Sequence, residues 1–596
     1  MQVYEAPIRD MVFNIRELHE DDGFGDLEGF EDFDDDVTNA ILEEANKLCR
    51  DVLLPINWSG DQQGCRIENG VVRTPDGFQD AYKQFCEGGW AGLGVSEEWG
   101  GQGAPHAIGK MVEEMTCSAN LSFGLYPGLT GGAMVALEGY GSDELKNFYM
   151  PRMANGEWTG TMCLTESHCG TDLGMLRTKA VPQDDDSYLI TGNKIFISAG
   201  DHDLSDNIIH LVLARLPDAP PGVKGISLFL VPKYLPNDEG NPGNFNNTTA
   251  TAIEHKMGLK ASATCQMSFE DSKGWLIGKP HRGLEAMFAM MNTERVAVGI
   301  QGLGVGEIAY QSAVYYAKDR LQGRSLSGVK NPDGPADPII VHPDVRRMLM
   351  TMRAYNEGSR AVSAWVSRAL DAEHAAKEPE VRERAKDFVA LMTPVVKALF
   401  TDLGHESSNI AIQVHGGHGY IQETGVEQFA RDARIAQIYE GTNGIQALDL
   451  VGRKLPDRMG RNLRSFFHPV SQFIEDHGTD AHIGKIVGSL QQAFGALQLS
   501  TGHIAQKGMK DPEEAGAAAT DYLRLLGFVA MGFCFAKAAK IAFAKLEEGT
   551  DEKAFYEAKI VTARFFFDRL LPPAMAQMMA ITSGKGSMMD MPEDAF

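Results

Sequence analysis

The sequence predicts a mostly helical α+β fold in which one β module separates two helical regions. Apolar residues recur at helical spacing before about Thr161 and again from Gly283 onward. Between these positions, short β-type runs alternate with turn residues, which is typical of strands. The chain has 596 residues, too many for a single hydrophobic core, so the sequence indicates several packed domains.

The first helical region is predicted to be an N-terminal domain of residues 37–158, preceded by an arm of residues 1–36. Gly and Pro residues break this domain into segments with helical periodicity. The segments are Val37–Leu54, Phe78–Phe85, Ala107–Met115 and Leu145–Met153. In the arm, acidic residues alternate with Gly and Phe from Glu20 to Asp36, which predicts a solvated segment.

The β module is predicted for residues 159–280. Its strand-like runs are Ser187–Ile190, Ile208–Arg215 and Ile226–Val231. The polar, Asn- and Gly-rich stretch Pro236–Thr249 predicts a surface loop. The β pattern ends near Gln266–Phe269, where we expect the module to close.

Helical periodicity returns in residues 281–455, which we predict to form a C-terminal helical bundle. The periodic segments are Ala286–Lys318, Pro343–Ala376, Val381–Gly404 and Glu406–Gln413. A break at Lys454-Leu455-Pro456 precedes an additional helical domain, residues 456–596, whose helical block is Arg464–Arg569. The tail Ser583–Phe596 is predicted to be frayed.

The composition and charge of the chain argue against several classes of function. The net charge of -26 repels phosphate backbones, so we expect no nucleic-acid partner. Eight cysteines without a CxxC pair favour reduced thiols and no metal site. The N-terminal residues lack the features of a secretory signal, and the longest apolar run, Leu525–Ala536, is shorter than the roughly 20 residues of a membrane span. These features predict a cytoplasmic protein without a membrane span.

Two segments at the β module suit a flat, phosphate-bearing ligand. Thr161–Asp172 combines small and hydroxyl side chains with Gly, so its backbone can approach a ring or a pyrophosphate. In Gly192–Gly200, strand alternation puts Phe196 and Ser198 on one face, where a ring could stack and a hydroxyl could reach its edge. Taken alone, the first segment is a weak signal, because turns rich in Thr, Ser and Gly are common, and the second is better interpreted as a half-buried strand.

Two further segments lie in the second helical region. Gln413–Tyr420 contains three glycines, which permit close approach of a ligand to the backbone. In Arg431–Gln446, the carboxylate of Glu440 follows an apolar stretch and precedes Gly441, so burial could raise its pKa toward that of a general base. On these residues alone, the better interpretation of Glu440 is a surface residue before a turn.

In this order, the four segments resemble the acyl-CoA dehydrogenase family from about Gly88 to Arg453. Further stretches that resemble family motifs are Gly100–Gly103, Gly141–Gly156, Lys256–Gly258 with Ser262 and Thr264, Asn292–Arg295 and Tyr316–Gly323. The resemblance implies the acyl-CoA dehydrogenase fold: an N-terminal helical domain, a central β-barrel-like domain and a C-terminal four-helix bundle, here with an extra C-terminal helical domain. The implied cofactor is FAD, lying between the β domain and the bundle, with its adenylate half held by a neighbouring subunit.

The resemblance also assigns site residues. The implied flavin contacts are Met162, Leu164, Thr165, Gly170, Thr171, Phe196 and Ser198. The implied contacts to the partner's FAD are Arg320, Gln322, Gln413, Gly416 and Gly417, and Thr442 and Gly444 close on the FAD. The implied substrate contacts are Thr171, Glu294, Arg295 and Gly441. The sequence departs from the family pattern by lacking the Pro of the first segment, by Phe196 in place of Trp, by lacking the aromatic residue before Gly323 and by Gly444 in place of Gln.

The resemblance implies that Glu440 removes the α-hydrogen of an acyl-CoA thioester while the β-hydrogen leaves as hydride to the flavin. The backbone N–H of Glu440 and a flavin hydroxyl would hold the thioester oxygen. Glu294 occupies the position where a branched-chain subgroup places its base. Members that use this position usually lack a Glu at the position of Glu440. Because this chain has both carboxylates, we predict Glu440 as the base and Glu294 as a substrate contact.

The ends of the chain bear on substrate and partners. The N-terminal arm and the added C-terminal domain resemble larger, often dimeric members, and point to bacterial members that act on 3-methylmercaptopropionyl-CoA in dimethylsulfoniopropionate degradation. A short or medium straight-chain acyl-CoA is the alternative substrate. An electron-transfer flavoprotein is the expected acceptor. The competing hypotheses are an acyl-CoA oxidase and a non-catalytic relative that serves as a binding or assembly protein.

Overall fold

A computed structural model describes residues 2–20, 23–25 and 27–596. The chain divides into two compact units. One unit contains Met1–Glu43, Pro105–Glu114 and Val298–Phe596, and the other contains Glu44–Ala104 and Met115–Ala297.

The chain before the β module is mainly helical, as predicted. Its helices are α1 (Ile8–Val12), α2 (Asp35–Leu48), α3 (Asn57–Gln63), α4 (Phe78–Glu87), α5 (His106–Tyr140) and α6 (Asp143–Ala154). The prediction of helices alone was wrong at one place, where β1 (Arg66–Glu68) and β2 (Val71–Arg73) form an antiparallel hairpin. Asn69 and Gly70 connect the two strands with positive φ angles, a short Asn-Gly turn that favours a hairpin.

The β module forms a sheet that closes on itself. Its strands are β3 (Trp158–Cys163), β4 (Lys179–Pro182), β5 (Tyr188–Ser198), β6 (Asn207–Arg215), β7 (Ile226–Pro232), β8 (Tyr234–Pro236), β9 (Pro242–Phe245), β10 (Thr248–Ile253) and β11 (Thr264–Ile277). Seven strands form the main sheet: six follow the order β10-β11-β5-β4-β6-β3, and the seventh, β7, pairs with both β6 and β11. This closure produces the β-barrel-like domain that the sequence predicts. The buried interior includes Ile190, Val212 and Phe229.

Two details within the predicted β module were wrong. The stretch Pro236–Thr249 is not a plain loop, because β8 and β9 pair within and beside it as a small antiparallel hairpin. The module also continues beyond Phe269, because β11 extends to Ile277 and pairs there with β7. Both errors concern strands whose partners are distant in sequence or whose residues have low strand propensity.

The second helical region begins with three long helices. They are α7 (Gly283–Asp319), α8 (Pro343–Ala375) and α9 (Pro379–His415). The two predicted segments Val381–Gly404 and Glu406–Gln413 are therefore one helix. Gly404 does not end α9, because it lies where α9 crosses α7. A Cβ atom at Gly404 would come within 2.1 Å of the carbonyl oxygen of Gly302 on α7.

The remaining helices follow in order. They are α10 (Gly417–Tyr420), α11 (Glu427–Arg434), α12 (Asn443–Asp449), α13 (Arg461–His477), α14 (Gly484–Gly508), α15 (Pro512–Glu548), α16 (Lys553–Phe565), α17 (Ala574–Thr582) and α18 (Gly586–Met589). The tail predicted to be frayed contains α18 and a short 3₁₀ helix at Glu593–Ala595, with mostly exposed side chains. The extra C-terminal domain is thus helical, as predicted.

The apolar run Leu525–Ala536 lies inside α15. By length and composition, α15 is the one helix in the described part of the chain that could cross a membrane. However, 83% of its most apolar 18-residue stretch is buried inside the protein. Such burial is typical of the core helix of a globular domain.

The N-terminal arm packs on its own unit. Arg9 forms an ion pair of 2.7 Å with Glu552 near the start of α16, and the Glu28 backbone N–H donates to the Ala375 carbonyl at the end of α8. Glu31 in the acidic run is exposed, as predicted, whereas Phe24 is buried. Asp21, Asp22 and Asp26 of the same run lie outside the described residues.

A cluster of charges, defined as Asp10, Glu114, Glu307, Arg353, Glu357, Arg360 and Lys559, joins this arm to α5, α7, α8 and α16. All of these residues except Arg353 are buried. Arg360 is 1% exposed and contacts Asp10 at 2.5 Å, Glu114 at 2.5 Å and Glu307 at 2.8 Å. Lys559 contacts Asp10 and, at 2.9 Å, Glu357, which also pairs with Arg353 at 2.6 Å. The cluster therefore contains four carboxylates and three cations.

Candidate active site

The loop that follows β3 contains most of the predicted flavin contacts, and a buried ion pair organises it. Lys194 on β5 is 0% exposed, and its Nζ donates to the Leu164 carbonyl and to Oε1 of Glu166, each at 2.9 Å. The Ile195 backbone N–H donates to the Thr165 carbonyl at 2.9 Å. These bonds hold residues 164–166 against β5.

Glu166 closes the same loop on its other side. Its carboxylate accepts hydrogen bonds from the backbone N–H of Arg177 at 2.7 Å and from the backbone and hydroxyl of Thr178 at 3.0 and 2.6 Å. Burial alone would raise the pKa of Glu166, but Lys194 and these hydrogen bonds outweigh burial and lower it to about 2. The carboxylate is therefore charged at neutral pH and acts as a fixed anchor of the loop.

The ion pair was not predicted, although the sequence contains a signal for it. Lys194 falls at a strand position whose side chain points inward, and a buried lysine requires an anionic partner. His168 and Cys169 lie with Glu166 so that their potential metal-ligand atoms come within 4.8 Å of one another. Because Lys194 already neutralises Glu166, this arrangement favours a structural role.

The predicted ring contact, Phe196, lies on a β-bulge. Between the pairs Ile197–Cys265 and Lys194–Met267, β5 has one residue more than β11. Phe196 adopts a left-handed φ of 57° and is 60% exposed, whereas Ile197 is buried. Bulges of this kind re-aim a side chain, and here the ring of Phe196 is exposed while Ile195 and Ile197 on either side are more buried.

The predicted flavin contacts of this unit are adjacent to one another. Thr161 on β3 donates to the Ser198 carbonyl at 2.6 Å, which joins β3 to the end of β5. A Cβ atom at Gly170 would lie 3.7 Å from Thr165. The structure thus brings together Met162, Leu164, Thr165, Gly170, Thr171, Phe196 and Ser198, and their contact with flavin stays a prediction.

Glu294 and Arg295 lie on α7 in the same unit, and both are buried. A Cβ atom at Gly132 on α5 would be 2.3 Å from Oε1 of Glu294, so the carboxylate packs directly on the backbone of that glycine. Arg295 donates to Oδ1 of Asn292 at 3.3 Å.

In the other unit, Arg320 and Gln322 lie just after α7 and are exposed. The Gln322 backbone N–H donates to the Asp337 carbonyl at 3.0 Å, and the Ile339 N–H donates to the Arg320 carbonyl at 2.8 Å. Asp337 fixes this loop from inside. It accepts hydrogen bonds from the backbone N–H groups of Ser325, Asn331 and Lys330, which lower its pKa to about 2. Sequence reasoning missed this residue.

Gln413, Gly416 and Gly417 lie at the end of α9 and are also exposed. The end of α7 approaches them, because the ring of Tyr316 stacks on His415 at 4.3 Å and its hydroxyl bonds to Nδ1 of His418 at 2.8 Å. No atom lies within 4 Å of a Cβ built at Gly416 or Gly417. The two histidines therefore have a structural role, and the glycine backbone faces open space.

The predicted base, Glu440, lies in a tight bend between α11 and α12. It is half-buried and has a left-handed φ of 55°, which is uncommon for a residue other than glycine. Nε2 of Gln446 donates to the carbonyl oxygens of Glu440 and Gly441 at 3.0 and 3.3 Å. Thr442 begins α12, where its hydroxyl accepts from the Ile445 N–H at 3.4 Å.

Both ends of this bend are attached to α9. Nε2 of Gln437 and Nδ2 of Asn443 both donate to Oδ1 of Asp402, at 2.6 and 2.8 Å. Gly444, the last predicted contact of this segment, is exposed. The bend holds Glu440, Gly441, Thr442 and Gly444 as one segment, and the roles of these residues stay predictions.

The chemistry of these groups fits FAD. An exposed aromatic ring beside a hydroxyl suits the isoalloxazine, and an exposed arginine near open glycine backbone suits a pyrophosphate. Phe196 and Ser198 supply the first pair. The second pair is Arg320, four residues beyond the Tyr316 that packs on His415, and the open backbone of Gly416 and Gly417.

Comparison with known families covers most of the chain. Residues 36–157 match the acyl-CoA dehydrogenase N-terminal domain, 161–272 the middle domain and 281–455 the C-terminal domain. Residues 466–592 match a family described as acetyl-CoA dehydrogenase C-terminal like.

Individual relatives agree along their full length. The chain is 42% identical to 3-methylmercaptopropionyl-CoA dehydrogenase of Ruegeria pomeroyi, over 98% of this chain and 99% of the relative. It is 36% identical to a butyryl-CoA dehydrogenase of Syntrophomonas wolfei, over 100% and 99%. An acyl-CoA dehydrogenase of Bacillus anthracis, solved in complex with FAD, has the same fold, with a TM-score of 0.73, 20% identity and coverage of 93% and 88%.

The chain therefore belongs to the acyl-CoA dehydrogenase family. It is an oxidoreductase whose cofactor is FAD. The predicted family, fold class and cofactor are confirmed.

Proposed function

We propose that this enzyme converts 3-(methylthio)propanoyl-CoA to 3-(methylthio)acryloyl-CoA, with Glu440 as the catalytic base. The observation that carries the substrate is the 42% identity over 98% of the chain to a 3-methylmercaptopropionyl-CoA dehydrogenase. Both chain ends take part in that match, including the arm and the extra C-terminal domain.

The proposed role of Glu440 rests on its local structure. The α-hydrogen of a thioester is weakly acidic, so its removal requires a carboxylate held close to it and an enolate oxygen that is stabilised. The left-handed φ of Glu440 and the fixed bend around it are supported by surrounding hydrogen bonds. Strained backbone of this kind concentrates at functional sites.

The other residues bind and orient. When bound, FAD supplies a hydride acceptor for the β-hydrogen. The backbone N–H of Glu440 would donate to the thioester oxygen and so stabilise negative charge there. Phe196 would pack against the flavin ring and help to exclude water. Glu294 is buried against Gly132, and we assign it to the substrate pocket rather than to proton removal.

We further propose an electron-transfer flavoprotein as acceptor, a homodimer as the assembly, and a cytoplasmic role in dimethylsulfoniopropionate breakdown. A short straight-chain acyl-CoA is the second candidate substrate. The 36% full-length identity to a butyryl-CoA dehydrogenase supports it.

Anaerobic titration with a panel of acyl-CoAs tests the substrate. The methylthio-propanoyl ester should bleach the visible flavin band at the lowest concentration and the highest rate. Faster bleaching by butyryl-CoA would transfer the assignment to the second candidate. Peroxide formation at full turnover in air would instead identify an oxidase, and a protein that takes up no FAD would indicate a non-catalytic relative.

Two carboxamide variants test the base in the same titration. Glu440→Gln should abolish bleaching because the amide cannot accept the proton, whereas Glu294→Gln should retain most of it. A loss of at least about a hundredfold is expected for a removed general base. Bleaching by Glu440→Gln together with its loss in Glu294→Gln would reverse the assignment.

A further inference from the structure

We propose that Asp402 is a positioning residue for Glu440, because it clamps both ends of the bend that carries the base. This inference rests on the proposed function of Glu440. We define the base-loop clamp as Asp402 and Lys397 on α9 together with Gln437 and Asn443.

The clamp is symmetrical about Glu440. Gln437 lies three residues before Glu440, and Asn443 lies three residues after it. The side-chain amides of both donate to the same oxygen, Oδ1 of Asp402, at 2.6 and 2.8 Å. One carboxylate oxygen therefore fixes the distance between the two ends of the bend.

Asn443 makes the stronger of the two attachments. Its Nδ2 also lies 3.2 Å from the Ala398 carbonyl oxygen and 3.1 Å from Oγ1 of Thr401, so its two N–H groups are shared among three acceptors. Its Oδ1 accepts from Nζ of Lys397 at 2.9 Å. Lys397 is 0% exposed, so this charge-assisted bond lies in the interior, where such bonds are strong.

Two further attachments of the bend, through Gln446 and Tyr439, do not perform this function. Gln446 bonds to carbonyl oxygens of residues 440 and 441, so it shapes the bend but moves together with it. The hydroxyl of Tyr439 donates to Gln301 on α7, which attaches the middle of the bend to a different helix. Asp402 attaches the two ends of the bend to α9.

Positioning predicts a specific kinetic effect. The rate of proton transfer falls steeply with the distance between the base and the hydrogen that it removes. A displacement of about 1 Å can lower the rate up to about a hundredfold. Substrate binding uses many other contacts, so a loosened bend should slow the chemical step without weakening binding. The expected signature is a lower rate constant with an unchanged dissociation constant.

The test is rapid-mixing flavin reduction of the FAD-loaded enzyme by 3-(methylthio)propanoyl-CoA and by butyryl-CoA. Asp402→Ala removes the shared acceptor and should lower the limiting rate constant of bleaching about tenfold to a hundredfold. The substrate dissociation constant should change by less than about twofold. Asp402→Asn keeps an acceptor oxygen at the same place and should restore most of the rate.

A matched control is available one turn further along the helix. Glu406 on α9 is half-buried like Asp402 and accepts a hydrogen bond from the Tyr355 hydroxyl at 3.1 Å, on α8. Glu406→Ala therefore removes a carboxylate from the same helix without touching the bend. Its bleaching rate should stay within about twofold of the unaltered enzyme, because the near-attack geometry is kept.

Several outcomes would overturn the inference. The first is bleaching by Asp402→Ala at the rate of the unaltered enzyme. The second is an Asp402→Asn variant that is as slow as Asp402→Ala, because the charge of Asp402 and not its hydrogen bonds would then determine the rate. If Asp402→Ala fails to retain FAD, Gln437→Ala is measured in its place with the same criteria, because it opens one end of the clamp.

Glu440→Gln in the same assay separates the two proposals. If Glu440→Gln still bleaches, the base assignment has failed. If Glu440→Gln does not bleach and Asp402→Ala bleaches at the unaltered rate, only the clamp has failed.

Discussion

The loop after β3 and the bend around Glu440 are both held by charged side chains, but in different ways. In the β module, Lys194 and Glu166 contact each other directly at 2.9 Å, and each is nearly inaccessible to water. In the bend, Lys397 and Asp402 reach each other through the neutral amide of Asn443. A directly paired charge supports the stability of the fold, whereas a shared amide supports the geometry of one segment. The two regions should therefore respond differently when one partner is removed.

The largest expected effect is the loss of Glu166. Glu166→Ala leaves the ammonium group of Lys194 uncompensated in the interior, which should lower the free energy of unfolding by about 3–5 kcal/mol. The loop should also lose its attachment to β5, so FAD should dissociate more readily. Denaturant unfolding followed by circular dichroism, together with flavin retention on gel filtration, measures both effects.

An exposed ion pair of the same unit provides the control. Arg66 and Glu68 are 2.5 Å apart, but nearly half of each side chain is exposed to water. Glu68→Ala should therefore lower the free energy of unfolding by less than about 1 kcal/mol. If Glu166→Ala cost no more than Glu68→Ala, the buried Lys194–Glu166 pair would contribute no more to the stability of the fold than an exposed ion pair does.

The same contrast explains what the sequence could and could not predict. The order of helices and strands, the family and the segments around Phe196 and Glu440 follow from local patterns and ordered motifs. Lys194–Glu166 and the clamp around Asp402 depend on side chains 28 and 35–41 residues apart. Periodicity does not report such pairings, because it records which face a residue occupies and not its partner.

The incorrect boundaries have related causes. The hairpin of β8 and β9 forms in a stretch rich in Asn and Gly, where local propensity opposes strands and pairing stabilises them. Gly404 indicates a helix end by composition, but close contact with Gly302 requires glycine there. The bulge at Phe196 depends on the register with β11, which is set by the sheet as a whole.

A change in stability of intermediate size is expected at the cluster around Arg360, where four carboxylates are paired with only three cations. In the cluster around Arg360, burial and the neighbouring Glu307 and Asp10 raise the pKa of Glu114 to about 7, although Arg360 opposes them. A raised pKa means that the folded protein takes up a proton that the unfolded chain has already lost. The free energy of unfolding should therefore decrease as pH rises from about 4.5 to about 7, at up to roughly 1.4 kcal/mol per pH unit.

Glu114→Gln tests this linkage, because its side chain cannot ionise. Denaturant unfolding of both proteins between pH 5 and pH 8 should give curves that converge at the acidic end, with the unaltered protein losing relative stability toward pH 8. Glu166 should show the opposite dependence, because its pKa is lowered. Its contribution to the free energy of unfolding is present above about pH 4.5 and is lost only below that pH. Parallel curves across the range would show that Glu114 keeps its charge and that the cluster balances in another way.

The smallest effect concerns the feature that the two regions share. Phe196 and Glu440 both adopt left-handed backbone conformations, with φ of 57° and 55°. For a residue with a Cβ atom, this conformation costs about 1 kcal/mol or more. Phe196 is 60% exposed, so its ring contributes little to the stability of the protein without FAD.

Two substitutions at Phe196 separate backbone strain from ring stacking. Phe196→Gly should raise the free energy of unfolding of the FAD-free protein by about 1 kcal/mol relative to Phe196→Ala, because only glycine relieves the left-handed strain. Both variants should lose the same FAD affinity, since both lack the ring. Equal stabilities of the two variants would show that the bulge imposes no strain, whereas unchanged FAD affinity in both would remove Phe196 from the flavin site.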